Sequence, residues 1–166
     1  MLTSLSALLA LAALPAIAPD AYLVEPMLCQ GRIFGDTSKV HPDYSQVLMK
    51  FTSFKSTRKD GSLADSLQIE NAYFGPDETV QPESAQFVET WYTGPLKKKG
   101  GQVTRASLSG RSDRLELKVL ATTGHTEKLE GEYVIPHGVT GPYGYRLDCT
   151  ATVVENPSRV DNFTAH

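Results

Sequence analysis

The sequence has little of what metal binding, nucleotide chemistry and nucleic-acid binding require. Its 166 residues include only two cysteines and four histidines, and none has the spacing of metal ligands. There is no G-x-S-x-G nucleophile elbow, phosphate-binding loop or dinucleotide fingerprint. The net charge of −3, with both signs well represented, is not that of a cationic nucleic-acid binder. The sequence therefore supports none of these activities, and no motif in it calls for a cofactor.

The chain has no long apolar run except at its start. Residues 5–18 (LSALLALAALPAIA) are uncharged, end in small residues and are too short to span a bilayer. They predict a secretory signal peptide over residues 1–18, with cleavage after Ala18 or, because a proline follows that site, after Ala16. The alternative is a buried N-terminal helix. We therefore expect an exported protein, secreted or periplasmic.

The remaining length fits one domain with a polar tail. We expect the domain to cover residues 19–154 and the tail to cover residues 155–166. The tail contains Asn162 in an Asn-Phe-Thr sequon, which only a eukaryotic host would glycosylate.

The clearest structural pattern lies in residues 114–135 (RLELKVLATTGHTEKLEGEYVI). Apolar and charged side chains alternate on both sides of a polar turn, which is the pattern of half-buried strands. Gly124 in the turn can take a positive φ, so the segment predicts a β-hairpin. Gly131, within the second strand, predicts a bend in a curved sheet.

The same alternation predicts further short strands. A stretch within residues 101–110 adds one with Thr104, Ala106 and Leu108 on one face. Inward positions elsewhere are predicted at Met27, Cys29, Gly31 and Ile33, at Val47, Met49 and Phe51, at Leu67, Ile69, Asn71 and Tyr73, and at Tyr145, Leu147, Cys149, Ala151 and Val153. Near Tyr73 either face can point inward, because Phe74 places an aromatic on the other face.

The two cysteines predict how the sheet is closed. Cys29 lies on the first strand of this pattern and Cys149 on the last, and in an oxidising compartment two such thiols usually pair. A disulfide requires Cα atoms within about 7 Å, so the first and last strands must be neighbours. The prediction is an all-β domain of about eight strands, either a single antiparallel barrel, which direct pairing of these strands favours, or a two-sheet sandwich.

The segment of residues 85–93 (AQFVETWYT) has two possible registers. One points Phe87, Glu89 and Trp91 inward, and the other points Val88, Thr90 and Tyr92 inward. A bulge between them would let both aromatics pack. An inward Glu89 would lie in an apolar setting with a raised pKa, as at many functional sites. The interpretation that we favour here is that a bulge turns Glu89 to solvent. The candidate ligand-binding residues are Asn71, Tyr73, Phe87, Glu89 and Trp91.

Residues 97–118 carry seven basic residues against two acidic ones. Such a span is either a surface for an anionic partner, such as an acidic protein, a sulfated glycan or a lipid head group, or simply solvated charge, which is the commoner case. The candidate patch consists of Lys97, Lys98, Lys99, Arg105, Arg111 and Arg114. Arg105 is also a candidate for an inward polar residue.

The segment TTGHTEKLEGEY resembles the Thr-Gly hairpin of dirigent-like and allene oxide cyclase-like barrels. This resemblance implies a barrel that shapes reactive intermediates without a cofactor. It covers about a dozen residues, and Leu129-Glu130-Gly131 stands where those barrels tend to have a Gly-Ala step. The likeness therefore assigns no family, and it indicates only which kind of enzyme the enzyme alternative would be.

These patterns favour a non-enzymatic, secreted binding module whose loops or interior cavity contact a small apolar ligand or an extracellular protein. The alternative is a cofactor-free barrel enzyme or small-molecule carrier that uses inward polar residues such as Glu89. An interior cavity lined by Tyr73, Phe87 and Trp91 would favour a small-molecule site, and a filled interior would assign function to the loops.

Overall fold

The structure, a computed structural model, describes residues 21–22, 24–106, 108, 112–138 and 141–153. It contains ten strands and one 3-10 helix. The strands are β1 (Ala21–Tyr22), β2 (Val24–Gly35), β3 (Gln46–Thr57), β4 (Leu63–Phe74), β5 (Glu89–Thr93), β6 (Leu96–Lys99), β7 (Gln102–Ala106), β8 (Arg114–Thr123), β9 (Thr126–Gly138) and β10 (Gly141–Val153), and the 3-10 helix is Pro42–Tyr44. The predicted signal peptide and polar tail lie outside the described residues.

All ten strands belong to one antiparallel sheet with the order β1-β6-β7-β8-β9-β10-β2-β3-β4-β5. The predicted all-β class is confirmed, and the sheet curls into a half-barrel rather than forming a sandwich. Among the described residues β1 and β5 are the sheet edges, although β5 and β6 follow one another in the chain. Strands β2 to β10 therefore follow the order of an up-and-down barrel, with a seam between β5 and the edge formed by β6 and the short β1.

The disulfide joins two neighbouring strands, as predicted. Cys29 on β2 lies directly opposite Cys149 on β10, and their Cα atoms are 4.0 Å apart. The predicted pairing of the first long strand with the last is confirmed. This pairing lies in the middle of the sheet, however, and the gap between the two sheet edges lies on the opposite side.

The predicted hairpin is formed by β8 and β9, with Gly124 in the turn at φ 59°. Gly131 marks a close approach of the two backbones, because a Cβ placed there would lie 1.9 Å from the carbonyl oxygen of Glu116. Only glycine fits so near a neighbouring strand. The close approach accounts for the glycine, and the predicted bend at Gly131 stays a prediction.

The inner face of the curled sheet is the core. The alternation predicted for β2, β3, β4 and β10 is confirmed, with Ile33, Tyr73 and Val153 only partly buried at the strand ends. On β7 the buried residue is Val103, whereas Thr104 is exposed. Fully buried core side chains include Met27, Met49, Phe51, Ile69, Leu115, Leu129, Tyr133 and Tyr145.

Residues 75–88 form a loop that covers part of the outer face. Gln46 holds the loop by donating from Nε2 to the carbonyl oxygens of Gly75, at 2.7 Å, and Glu78, at 2.9 Å. Leu48 and Ala72, which point away from the main core, are buried at 2% and 1% exposure. The outer face therefore has a small apolar contact of its own on β3 and β4.

Candidate functional site

Five aromatic rings form a continuous row across the inner face. Ring centroids are 6.2 Å apart from Trp91 to Tyr133, 6.4 Å from Tyr133 to Tyr145, 6.3 Å from Tyr145 to Tyr73 and 4.7 Å from Tyr73 to Tyr44. The row begins at β5 and ends at Tyr44, which lies in the 3-10 helix and is 43% exposed. A wall of this kind supplies flat apolar surface reaching from the core to solvent.

A chain of hydrogen bonds runs beside this row. The Nδ2 of Asn71 donates to the hydroxyl of Tyr73 at 3.0 Å, and that hydroxyl donates to Oε2 of Glu89 at 2.7 Å. Asn71 and Glu89 are direct partners across β4 and β5, so the sheet register sets their relative position. The carboxylate is thus held in place from the buried side, while Glu89 itself is only half-buried.

Asn71 is fully buried, and its side-chain oxygen has no hydrogen-bond partner among the described residues. A buried acceptor without a donor costs about 1 to 3 kcal/mol. Sites that retain such a group commonly complete it with water or a ligand. This cost favours a functional reason for the amide at this position.

The tyrosine hydroxyls in the row are engaged as donors. Tyr133 donates to Oδ2 of buried Asp113 at 2.9 Å, and Tyr145 donates to the carbonyl oxygen of Tyr44 at 3.0 Å. Burial is the largest cause that raises the pKa of Tyr73, Tyr133 and Tyr145 far above the ordinary phenol value. These groups therefore stay protonated and act as fixed hydrogen-bond donors.

The structure decides the register of residues 85–93. Glu89 and Trp91 point inward, so the favoured interpretation that a bulge turns Glu89 to solvent is wrong. Phe87 precedes β5 and lies at the outer face, where the Lys50 ammonium is 5.5 Å from its ring centroid. Four of the five candidate ligand-binding residues, Asn71, Tyr73, Glu89 and Trp91, lie on the inner face, and Phe87 does not join them.

The candidate basic residues are divided between the two faces. Lys98 points inward and pairs with buried Glu127, and Arg105 donates from Nε to Oγ1 of Thr93 at 3.1 Å. The prediction that Arg105 points inward is confirmed. Lys97, Lys99 and Arg114 are exposed, and Arg111 lies outside the described residues. Binding of an anionic partner by the exposed three stays a prediction.

Sequence reasoning missed Tyr44 and Asp113 as members of the site. Tyr44 ends a stretch rich in turn residues, and Asp113 comes directly before the predicted hairpin, so neither lies in an alternating pattern. Tyr133 and Tyr145 did carry a signal, since each is in phase with apolar residues of its strand. In the described part of the chain, no three side chains of His, Cys, Asp or Glu are grouped so as to hold a metal ion.

Two concavities, of about 520 and 780 Å³, lie on the outer face of β8, β9, β10 and β2. Neither is lined by Tyr73, Phe87 or Trp91. Neither concavity is therefore the interior cavity expected for a small-molecule site, and the candidate inner site is instead an aromatic and polar surface that reaches solvent at Tyr44.

Comparison of the chain with protein-family models, curated proteins and solved structures found no match. The disulfide fits a protein that resides outside the reducing cytoplasm. No helix within the described ranges is long and apolar enough to cross a membrane.

Proposed function

We propose that this protein is an exported, non-enzymatic binding module in which Tyr44, Tyr73, Glu89 and Trp91 contact a small ligand, with buried Asn71 behind them. The observation that carries the proposal is the Glu89 carboxylate, which buried partners hold beside an aromatic row. Preorganised polar groups within an apolar wall are typical of small-molecule sites. The expected signal peptide over residues 1–18 and the disulfide support export.

The chemistry of the cluster indicates the class of ligand. Glu89 uses only Oε2 for a hydrogen bond within the described residues, so Oε1 can accept another. The side-chain oxygen of Asn71 is also unpaired but fully buried, and the hydroxyl of Tyr73 already both donates and accepts, so Glu89 is the acceptor within reach of a ligand. A complementary ligand combines a flat apolar ring with a hydrogen-bond donor, such as an ammonium or hydroxyl group.

Trp91 makes the proposal measurable because it is the only tryptophan in the chain. Titration with benzylamine, which joins a ring to an ammonium donor, should change its fluorescence saturably. Benzoate has a similar ring but carries an acceptor anion, and repulsion by Glu89 should prevent its binding. Glu89→Gln should weaken benzylamine binding about tenfold or more, because it removes a charge-assisted hydrogen bond.

Glu70→Gln is the matched control. Glu70 lies on the outer face of β4, where its carboxylate is 3.2 Å from the Lys50 ammonium. This variant should bind benzylamine as the wild type does. The proposal fails if benzylamine shows no saturable effect, or if the two variants weaken binding equally.

The cluster also supports a second candidate, a cofactor-free enzyme or carrier. Glu89, hydrogen-bonded to a tyrosine whose pKa is raised by burial, is a carboxylate placed to accept a proton from a bound ligand. Solvent-deuterium exchange into a bound carbon acid such as phenylacetone would favour this candidate if it required Glu89. Ligand binding without exchange would favour the binding module.

A further inference from the structure

The larger outer-face concavity, of about 780 Å³, is lined by cations around an aromatic ring. Its charged residues are Arg32, Lys128 and Arg146 with one carboxylate, Asp148, and its aromatic residue is Phe34. The smaller concavity beside it has the opposite balance, with four carboxylates and two cations. The two concavities share Arg146 and Asp148, and the remaining charged residues are cations in the larger one and mostly carboxylates in the smaller one.

The cations in the larger concavity include a like-charge pair fixed by the sheet register. Arg146 on β10 lies directly opposite Arg32 on β2. Directly opposite side chains have Cβ atoms about 4.5 to 5.5 Å apart, and like charges at this distance destabilise a sheet. The register places the two stems side by side, and because both side chains are exposed, a neighbouring acid or a bound anion can offset their repulsion.

The described residues compensate these two arginines unequally. The Arg146 guanidinium lies 5.3 Å from the Phe34 ring centroid, and its Nε is 3.8 Å from Oε1 of Glu132. In the part of the chain that the structure describes, no carboxylate lies within 4 Å of the side-chain nitrogens of Arg32 or Lys128. Arg146 is therefore positioned by its neighbours, and Arg32 is left to solvent or to a ligand.

We propose that this concavity binds a small ligand through an oxyanion that bridges Arg32 and Arg146. Arg32 and Arg146 line the same concavity from directly opposite positions, and two guanidinium groups there would present several N–H donors to a carboxylate, phosphate or sulfate group. The Phe34 ring and the exposed Leu120 at the rim would contact an apolar part of the same ligand. This site is separate from the inner-face cluster and does not depend on it.

The direct test is an NMR titration of Arg Nε signals with phosphate, sulfate and acetate, at ionic strength held constant with sodium chloride. Saturable shifts at Arg32 and Arg146, greater than those with chloride, are expected for at least one of the three anions. Phosphate and sulfate binding without acetate binding would assign a tetrahedral oxyanion, and the reverse would assign a carboxylate. Arg32→Gln should weaken binding about tenfold or more.

Arg114→Gln is the control, since Arg114 is exposed on the same face but borders Glu116 at 3.9 Å. It should leave anion binding unchanged. Stability gives a second readout. The bound anion should raise the melting temperature of the wild type and of Arg114→Gln, but not of Arg32→Gln. Equal responses in all three proteins, or no response beyond that of chloride, would overturn the proposal. Either result would leave benzylamine binding at the inner site unaffected, because the two sites are separate.

Discussion

The two sides of the half-barrel are held together by different interactions. Strands β2, β9 and β10 are 12 or 13 residues long and form continuous ladders, and the disulfide crosses the ladder between β2 and β10. At the seam, β5, β6 and β7 are only four or five residues long. There, the hydrogen bond from Arg105 to Thr93 and the packing of Trp91 on Tyr133 join strands that form no ladder with each other.

The difference shows that the disulfide does not reinforce the weakest junction. It lies where backbone pairing is already extensive, so its main effect is to restrict the unfolded chain. The seam depends on side-chain contacts, which contribute less per residue than a full ladder with a buried face. We therefore expect local opening to begin between β5 and β7.

The largest effect should come from Gly131→Ala on the laddered side. The new methyl group would meet the carbonyl oxygen of Glu116 and force β8 and β9 apart, so the free energy of unfolding should fall by more than about 4 kcal/mol. Gly124→Ala is the control, because a Cβ there has nothing within 4 Å and meets only the strain of a positive φ, about 1 kcal/mol. Urea unfolding measures both. Similar losses of unfolding free energy in the two variants would show that the backbone near Gly131 moves easily to accept a methyl group.

Removal of the disulfide should have the next largest effect. Replacing Cys29 and Cys149 by Ala should lower the free energy of unfolding by about 2 to 5 kcal/mol without changing the fold. Circular dichroism and urea unfolding of the double variant test this directly. If non-reducing peptide mapping of the wild type found free thiols or a bridge between chains, the assignment of this bond would be wrong.

Alkaline pH should destabilise the aromatic row that spans both sides. The unfolded chain releases phenolic protons near pH 10, whereas burial raises the pKa of Tyr73, Tyr133 and Tyr145 in the folded protein. Their contribution is complete below pH 10 and is lost as the pH rises further, at up to about 1.4 kcal/mol per pH unit for each group. Unfolding at pH 9 to 11 measures the slope, and Tyr145→Phe should make it shallower. An unchanged slope would mean that this phenol titrates equally in both states.

The smallest effect should come from loosening the seam. Arg105→Met keeps the side-chain volume but removes the hydrogen bond to Thr93, which contributes about 1 kcal/mol. Hydrogen exchange should accelerate at β5 and β7 and stay unchanged at β2 and β10. Lys99→Met, at an exposed position of β6, is the control. Uniform acceleration along the sheet would show that the seam does not open separately.

Local patterns predicted the laddered side far better than the seam. On β2 and β10 the cysteines and their apolar neighbours keep one phase, so both strand faces and their pairing could be inferred. β6 was missed because Lys97, Lys98 and Lys99 hide the alternation that only Leu96 reveals. Consecutive lysines do not distinguish a paired strand from a solvated loop.

The inner site was only partly predictable for a related reason. The phase of their strand predicts Asn71 and Tyr73, whereas the two possible registers of residues 85–93 leave the direction of Trp91 open. The bond from Tyr73 to Glu89, however, depends on where β5 begins, and Phe87 obscured that point because it packs on Lys50 at the outer face. Contacts from Trp91 to Tyr133 arise from the curl of the whole sheet, which no local pattern specifies.

The bond between Cys29 and Cys149 also gives the chain the topology of a ring, because the peptide backbone connects the same two residues around the far side through β5 and β6. A single proteolytic cut in the loop of residues 75–88 would open this ring without separating its parts. In denaturing electrophoresis the nicked protein would migrate as one molecule until a reductant separated the two fragments. Each fragment would keep one strand of the central pair, so the two halves could remain associated through the same ladder that the disulfide crosses.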